Sequence, residues 1–433
     1  MPLVPPDFLL PLLQRPVAIF GAGVSGQGVI TLLKELGGRG IVYDEMGEGE
    51  RAVFTGTEAA RHGLVIASPG FVPTHPWLAV ARAAGCTCLG ELDLASLFWP
   101  EELVAITGTN GKTTLAEFLA HALRENGRPA EVTGNVGYPF SRFVVEQAGR
   151  VQVAVCEVSS FQAETLRHLR PTATLWTNFA EDHLERHTGM ADYFAAKWRL
   201  VEQTLTDLPA RAGGRPTGAL LVGSSVQRFA RQFGRELPAA ACLATEDQPA
   251  DPQLAGTVFA GYPQRENFLL AAAWWRQAGL PGGMLYTAAR SFKLGKHRLA
   301  RVVERRGVTF WNDSKATNFH AVEAALATFD RPVLWIGGGK AKGGDLGGFV
   351  RRIRPKIRHA FLIGETRPEL ARHCREVHVP ATTCTTLDEA VRAAFALAGP
   401  GNHILLSPGF ASFDMFRGYD DRGLQFEKIV DKL

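Results

Sequence analysis

The sequence predicts an α/β protein built in three parts, each a sheet with helices packed on it. Three observations carry that prediction. Short apolar runs alternate with amphipathic, helix-length segments along the whole chain. Two of the runs lead straight into glycine turns, at Gly21–Gly26 and at Thr107–Lys112. The 433 residues also exceed what one core ordinarily organises. The parts divide near Gly90 and Phe292, giving expected domains 1–90, 91–292 and 293–433.

The bulk composition excludes several classes. Hydrophobic content of 46% and charged content of 21% are those of a soluble globular protein. A net charge of +4, from 47 basic and 43 acidic residues, gives nucleic-acid binding no support. No apolar run is long enough to span a bilayer, and the start (Pro2, Pro5, Pro6, Asp7) lacks a basic-then-apolar signal. Cysteines 86, 88, 156, 242, 374 and 384 form no C-x-x-C pair, which reads as free thiols in the cytoplasm. Cys156 sits in an apolar strand pattern and reads as core.

In the first part, Pro16–Phe20 is a strand pattern entering Gly21-Ala-Gly-Val-Ser-Gly26, followed by a helix through Leu36. A second strand, Ile41–Tyr43, ends at Asp44, an acid placed to take a ribose hydroxyl. This order is the dinucleotide-type fingerprint of a Rossmann-like domain, and it favours a nucleotide-type ligand over a structural turn, NAD being one candidate. Leu64-Val-Ile-Ala-Ser-Pro-Gly70 delivers another turn toward the same crevice.

In the second part, Leu103-Val-Ala-Ile-Thr-Gly-Thr-Asn-Gly-Lys-Thr-Thr114 runs from a buried strand through Gly108 and Gly111 into a helix (Leu115, Phe118, Leu119, Ala122, Leu123). Glycines let the loop amides point inward, the helix contributes its positive end, Lys112 reaches terminal phosphates and Thr113 can ligate magnesium. The order is that of a P-loop-type ATPase domain, although the standard P-loop wants Gly at the position held by Ile106; a glycine turn that binds nothing is the bland alternative. Val151–Glu157 reads as a strand ending on a carboxylate, before Ser159, Ser160 and Gln162. Thr172–Asn178 reads as a strand feeding Glu181-Asp182-His183. Strand ends line the ligand crevice in open α/β sheets, so Glu157 and His183 become candidate phosphate-side or magnesium groups. Lys197 lies in a helical run with Tyr193, Phe194 and Leu200, and by spacing alone it reads as a surface lysine. No chemistry is legible in 205–255. Glu266-Asn267 opens an apolar helix in which Trp274 and Trp275 read as packing.

In the third part, Lys296-His297-Arg298 precedes a strand at 299–303, and a second ends in Trp311-Asn-Asp-Ser-Lys-Ala-Thr-Asn318. Strand patterns recur at 332–339, 359–364 and 403–407, again Rossmann-like. Their turns are rich in Lys, Arg, Ser and Thr, as an anionic substrate site requires, although each charge singly is also what a solvated turn carries.

Six stretches together resemble one family. Thr107–Thr114, Glu157-Val-Ser-Ser-Phe-Gln162, Asn178-Phe-Ala-Glu-Asp-His183, His297-Arg298, Asn312–Asn318 and Leu406-Ser-Pro-Gly-Phe-Ala-Ser412 are similar to the Mur ligases across essentially the whole chain. Within that family, Asn312–Asn318 and the serine-rich C-terminal turn resemble the member that joins D-glutamate to UDP-N-acetylmuramoyl-L-alanine. The resemblance implies an ATP-dependent ligase of the bacterial cytoplasm, acting as a monomer on small molecules, through an acyl phosphate and a tetrahedral intermediate. It implies ATP on Gly108, Thr109, Asn110, Gly111, Lys112, Thr113 and Thr114, with Asn267, Arg298 and Asp313 on the nucleotide. Two Mg2+ are implied, one at Thr113 and Glu157, the other at His183 and a CO2-derived carbamate on Lys197. Carbamylation converts a cation into an anionic oxygen ligand, which suits that metal.

The same resemblance implies the UDP moiety, not NAD, in the first domain, at Val24, Ser25, Gly26, Asp44, Ser68, Pro69 and Gly70, with Asn135 on the sugar nucleotide. Lys315, Thr317, Lys342, Ser412 and Tyr419 match positions that hold the incoming glutamate, since cations and hydroxyls suit two carboxylates. Of Lys340 and Lys342, spacing to Asp345 favours the second. Gly261-Tyr-Pro-Gln-Arg-Glu-Asn267 departs from the family pattern but keeps its last Asn, and Tyr419 replaces another aromatic. The alternatives are a same-fold ligase for L-glutamate or another amino acid, and an ATP-binding regulator. An NAD oxidoreductase is a third, and it leaves Thr107–Thr114 unexplained.

Overall fold

Apolar runs with polar ends become strands where both faces can be buried, and the polar ends mark where the chain turns. The computed structural model describes residues 3–206, 218–238, 242–244 and 250–433, and in it the runs form three separate sheets. Part of the stretch 205–255 thus lies outside the described residues.

The first sheet contains β1 (Val17–Phe20), β2 (Gly40–Tyr43), β3 (Leu64–Ala67) and β4 (Thr87–Gly90), all parallel in the order β2-β1-β3-β4. Phe20 pairs with both Tyr43 and Ala67, so three strands end level. The helix Val24–Glu35 packs close beneath them, because a side chain at Gly26 would run into the Gly21 carbonyl.

The second sheet contains β5 (Glu102–Thr107), β6 (Ala130–Gly134), β7 (Val153–Glu157), β8 (Ala173–Trp176), β9 (Ala219–Gly223) and β10 (Cys242–Ala244). It is parallel, in the order β10-β9-β8-β5-β7-β6. β5 lies between β7 and β8, and their burial on both faces explains why they read as continuous apolar runs. The helix Lys112–Glu125 buries Leu115, Phe118, Leu119, Ala122 and Leu123. One core spans both sheets, joining Ile19 and Leu33 to Leu103 and Ala105 through Phe140 and Phe143. Two buried carboxylates fasten it. Glu91 accepts from the Ser141 amide (2.7 Å) and hydroxyl (2.6 Å), and Asp93 Oδ1 accepts the amides of Arg167, His168 and Leu169.

The third sheet contains β11 (Ala300–Arg305), β12 (Val308–Asn312), β13 (Val333–Gly338), β14 (Ile357–Ile363), β15 (Ala381–Thr383) and β16 (His403–Leu406), in the order β11-β12-β16-β13-β14-β15. β11 and β12 form an antiparallel hairpin, and the remaining pairs are parallel. Its two faces are covered by separate apolar layers, one centred on Trp335 and Phe349, the other on Phe310 and Phe361.

The α/β expectation holds in all three sheets. By contact the chain gathers into two compact units: Met1–Phe179 with Ala191–Gln248 and Glu266–Ser291, and Ala180–Met190 with Pro249–Arg265 and Phe292–Leu433. Cysteines 86, 88, 156, 374 and 384 are free. Among the described residues no helix is long and apolar enough to cross a membrane.

Candidate active site

In the first unit the loop after β5 is shaped by backbone that only glycine adopts readily. Gly108 has φ +148° and Gly111, at the helix start, φ +83°. A side chain at Gly108 would collide with the Thr177 hydroxyl. Asn178 clamps the loop from the end of β8: its side-chain oxygen accepts the Asn110 amide at 2.9 Å, while its amide nitrogen donates to the Asn110 carbonyl at 3.1 Å. Lys112 folds back over the loop, its amine donating to the carbonyls of Gly108 (3.1 Å) and Thr109 (3.0 Å). The ammonium and the helix N-terminus thus face the same concavity, the arrangement a polyphosphate requires. Thr113 and Thr114 are buried in the first helical turn. Asn267 stands against Gly111, where a Cβ would lie 2.8 Å from its Oδ1.

Two groups beside the loop are buried ionisable side chains. Glu157, at the end of β7, accepts from Asn135 Nδ2 at 2.8 Å through Oε1, while Oε2 is buried with no hydrogen-bond partner. A buried carboxylate oxygen left unmet by protein donors fits a hard cation. Among the described residues no three His, Cys, Asp or Glu side chains gather as a cage. A cation here would complete its shell with phosphate oxygens and water, the habit of magnesium.

Lys197 corrects the reading from spacing. It is buried, not a surface lysine, and its amine donates to the Gly108 carbonyl (2.9 Å) and to Thr107 Oγ1 (3.3 Å), over the Tyr193 ring. The apolar stripe of its helix, Met190–Leu205, carries it beneath the loop.

The N-terminal residues converge in the same unit. Asp44 Oδ2 accepts the Ala22 amide at 2.9 Å, and Oδ1 accepts the Met46 amide. These backbone donors hold its carboxyl below the ordinary value despite burial. Asp44 therefore pins the glycine turn. Ser68 abuts Gly21, where an added Cβ would lie 2.8 Å from its Oγ, and Val24 and Ser25 begin the adjoining helix. Ser68 and Pro69 also line a pocket of about 300 Å3 with Glu91 and Gln162. Gly70 follows in the same turn.

In the second unit, a pocket of about 310 Å3 is lined by Asp182, His183, Thr317, Asn318 and Lys342 among others. Asp182 organises it, and sequence reading did not assign that residue. Its Oδ2 accepts from Asn318 Nδ2 at 2.9 Å, its Oδ1 lies 3.6 Å from the Lys342 amine, and it accepts the His183 amide. Burial pushes its carboxyl up, but Lys342, His183 and the Asn318 hydrogen bond outweigh this and leave it below 3.8. His183 itself has φ +56°, a left-handed backbone, which turns its ring to within 3.7 Å of Asp182. Lys342, not Lys340, is the lysine at this pocket.

Nearby, Lys315 sits 3.6 Å above the Tyr419 ring, a cation–π contact. Ser412 is buried. Asp313 is buried at the end of β12, accepting from Ser407 Oγ (2.8 Å) and the Leu299 amide (3.0 Å). Burial raises its carboxyl to about 7, opposed by those donors and by Arg298 and Arg422. Arg422 was also missed: buried, it donates to the Ser314 hydroxyl and to the Ser314 and Phe410 carbonyls, holding the Asn312–Asn318 turn. Its sequence context, a charged helix, gives no signal of that role.

Comparison with known proteins agrees with this geometry. Residues 106–209 match the Mur ligase middle domain, and residues 297–410 match the Mur ligase, glutamate ligase domain. The UDP-N-acetylmuramoylalanine–D-glutamate ligase of Nitratidesulfovibrio vulgaris is 34% identical over 440 residues, covering 96% of each chain. That of Mycobacterium tuberculosis is 34% identical over 499 residues, covering 99% of this chain and 98% of the relative. Among solved structures, MurF from Acinetobacter baumannii (TM-score 0.60, 16% identity, 87% of this chain and 93% of that one) and the UDP-N-acetylmuramate-alanine ligase MurC from Thermotoga maritima (0.58, 14%, 96% and 99%) share the fold.

Proposed function

This chain belongs to the Mur ligase family, and from that premise we propose that it joins D-glutamate to UDP-N-acetylmuramoyl-L-alanine with cleavage of ATP, in peptidoglycan precursor synthesis. The observation that carries the reading is the near-full-length likeness to ligases of that name, 34% identical over 96% of this chain. The buried, unmet Glu157 oxygen beside the glycine loop supports ATP with a divalent cation. Residues 1–90 bind the UDP moiety, 91–292 ATP, and 293–433 glutamate. The protein works as a monomer in the cytoplasm.

Lys112 and the loop amides hold the β- and γ-phosphates, and Asn267, Arg298 and Asp313 hold the nucleoside end. An oxygen of the alanine carboxylate attacks the γ-phosphorus and ADP leaves. The neutral glutamate amine then adds to the acyl-phosphate carbonyl, phosphate departs and the nitrogen gives up a proton. Both steps build negative charge, so cations fixed in advance lower the barrier. Thr113 and Glu157 hold one magnesium, and His183 with carbamylated Lys197 holds a second. Magnesium supplies charge neutralisation at the reacting oxygens. Lys315, Thr317, Lys342, Ser412 and Tyr419 seat the glutamate carboxylates, and Asn135 with the Gly21–Gly26 turn seats the sugar nucleotide.

Phosphate release from ATP with UDP-N-acetylmuramoyl-L-alanine tests this, comparing D-glutamate, L-glutamate and no amino acid. Release that requires D-glutamate is expected. Release with L-glutamate alone would keep the chemistry and overturn the acceptor. For Lys197, a carbamate carbon resonance from labelled bicarbonate, lost in Lys197→Ala, is expected.

A further inference from the structure

The charge of this chain is unevenly placed. Residues 293–433 carry 23 Lys and Arg against 15 Asp and Glu, whereas the rest carries 24 against 28. Part of that excess belongs to the substrate pocket, at Lys315 and Lys342. The larger part lies elsewhere in the second unit, at the opposite end of its sheet.

Strands β12, β13, β14 and β16 run parallel and start level, with Thr309 beside His403, Leu334 beside Ile404 and Val333 beside Ile357. The substrate-facing residues follow their C-terminal ends. The segments entering their N-terminal ends carry Arg306, Arg331, Arg354 and Lys356, Arg358 is the second residue of β14, and Arg351 lies in the last turn of the helix Leu346–Ile353 that descends to the same edge. All five of these arginines, at 306, 331, 351, 354 and 358, are exposed there. Internal contacts bind these segments into one surface. Lys356 donates to the Phe329 carbonyl at 2.7 Å, Arg358 donates to Asn402, and the Gly401 amide donates to Gly307. Burial first, then the charges of Arg301 and Arg331, pushes the His403 imidazole at the start of β16 below its usual value.

Neutralisation is incomplete. Arg301 pairs with Glu304 and Arg352 with Glu323; Asp330 is an exposed acid between, and Arg305, donating to the Asp431 carbonyl, brings a second exposed acid to this edge. Among the described residues, the other six cations form no ion pair with a carboxylate. Leu397, exposed at the end of the helix Leu387–Leu397, adds an aliphatic contact beside Arg306, which lies over Phe395. Nothing there projects like a groove-reading helix, and the Phe395 ring is covered by Arg306. A level field of cations with an aliphatic residue suits a planar anionic surface, and adsorption needs no spanning helix.

We propose that the N-terminal edge of the third sheet is a docking surface for anionic phospholipid, holding the enzyme reversibly against a bilayer while its pocket, at the other end of that sheet, stays in water. Each cation near an anionic leaflet contributes about fivefold in partitioning, so removing three weakens adsorption roughly hundredfold. The test is sedimentation of the full chain with vesicles of phosphatidylcholine alone or mixed with phosphatidylglycerol, at low and high salt. The wild-type protein is expected to bind only the phosphatidylglycerol vesicles, and to be released by salt. The triple variant R331Q/R354Q/R358Q is expected to lose binding but keep its melting temperature and ligase turnover. Its charge-retaining counterpart R331K/R354K/R358K is expected to keep binding. Absence of wild-type binding, equal binding by the glutamine variant, or displacement from vesicles by sub-stoichiometric single-stranded nucleic acid would overturn the proposal.

Discussion

Glu157→Gln separates a metal-holding role from a structural one, because the two roles predict opposite signs. The wild-type side chain is buried with Oε1 satisfied by Asn135 and Oε2 satisfied by nothing in the protein. An unmet neutral polar group costs about 1–3 kcal/mol when buried, and an unmet charge costs more. Glutamine has the same shape and keeps the Asn135 bond through its own oxygen. The substitution therefore exchanges an unmet charge for an unmet amide, and the ligand-free protein should gain about 1 kcal/mol. For a unit of this size that is a rise of about 2–4 °C in melting temperature. With Mg2+ and ATP the order reverses. The wild type gains about 2.7 kcal/mol when the ligand stands a hundredfold above its dissociation constant. Losing one anionic oxygen, worth about 1.5–3 kcal/mol, removes most of that gain and lowers ATP-dependent turnover tenfold or more. Thermal unfolding with and without Mg2+–ATP, read beside turnover, is the assay. A lower melting temperature without ligand, with turnover falling only in step, would refute the reasoning and make Glu157 a structural residue.

Three further outcomes are expected. Gly111→Ala places a side chain at φ +83° and 2.8 Å from Asn267 Oδ1, so it should cost about 1–2 kcal/mol of stability and raise the KM for ATP at least tenfold. Asp182→Asn leaves Lys342, which is partly exposed, without its counter-charge at 3.6 Å. After solvent screening the loss is about 1–2 kcal/mol, seen as roughly a tenfold rise in the KM for D-glutamate with a smaller change in kcat. Asp313 is raised from 3.8 to about 7, so the folded state binds its proton more tightly than the unfolded chain. Stability should then fall as pH rises from near 3.8 through about 7, by a few kcal/mol. Asp313→Asn should flatten that slope in pH-dependent denaturation.

Much of the fold was legible because its central strands are buried on both faces and so read as unbroken apolar runs. β1, β3, β5, β8 and β13 are of this kind, and the glycines after β1 and β5 mark their ends. Two of the edge strands were not legible. Ala130–Gly134 and Ala381–Thr383 are short and half in solvent, so they carry no apolar run to read. The expected strand at 151–157 begins at Val153, where pairing with β5 and β6 starts. At the site, the glycine loop was readable because its backbone demands glycine. Lys197 was not, since helical spacing shows a stripe but not what lies above it; only resemblance pointed there. Asp182 and Arg422 act through partners distant in sequence, Asn318, Lys342 and Ser314, and no local pattern announces such contacts.

The central claim is that this chain activates an alanine carboxylate as an acyl phosphate and transfers it to D-glutamate. Substrate labelled with 18O in that carboxylate tests it most directly, with the released phosphate read by mass. The account predicts one 18O in each phosphate released, one molecule of ligated product per phosphate, and no turnover without D-glutamate. Unlabelled phosphate, released whether or not D-glutamate is present, would mean that water attacks ATP directly, and would contradict the account.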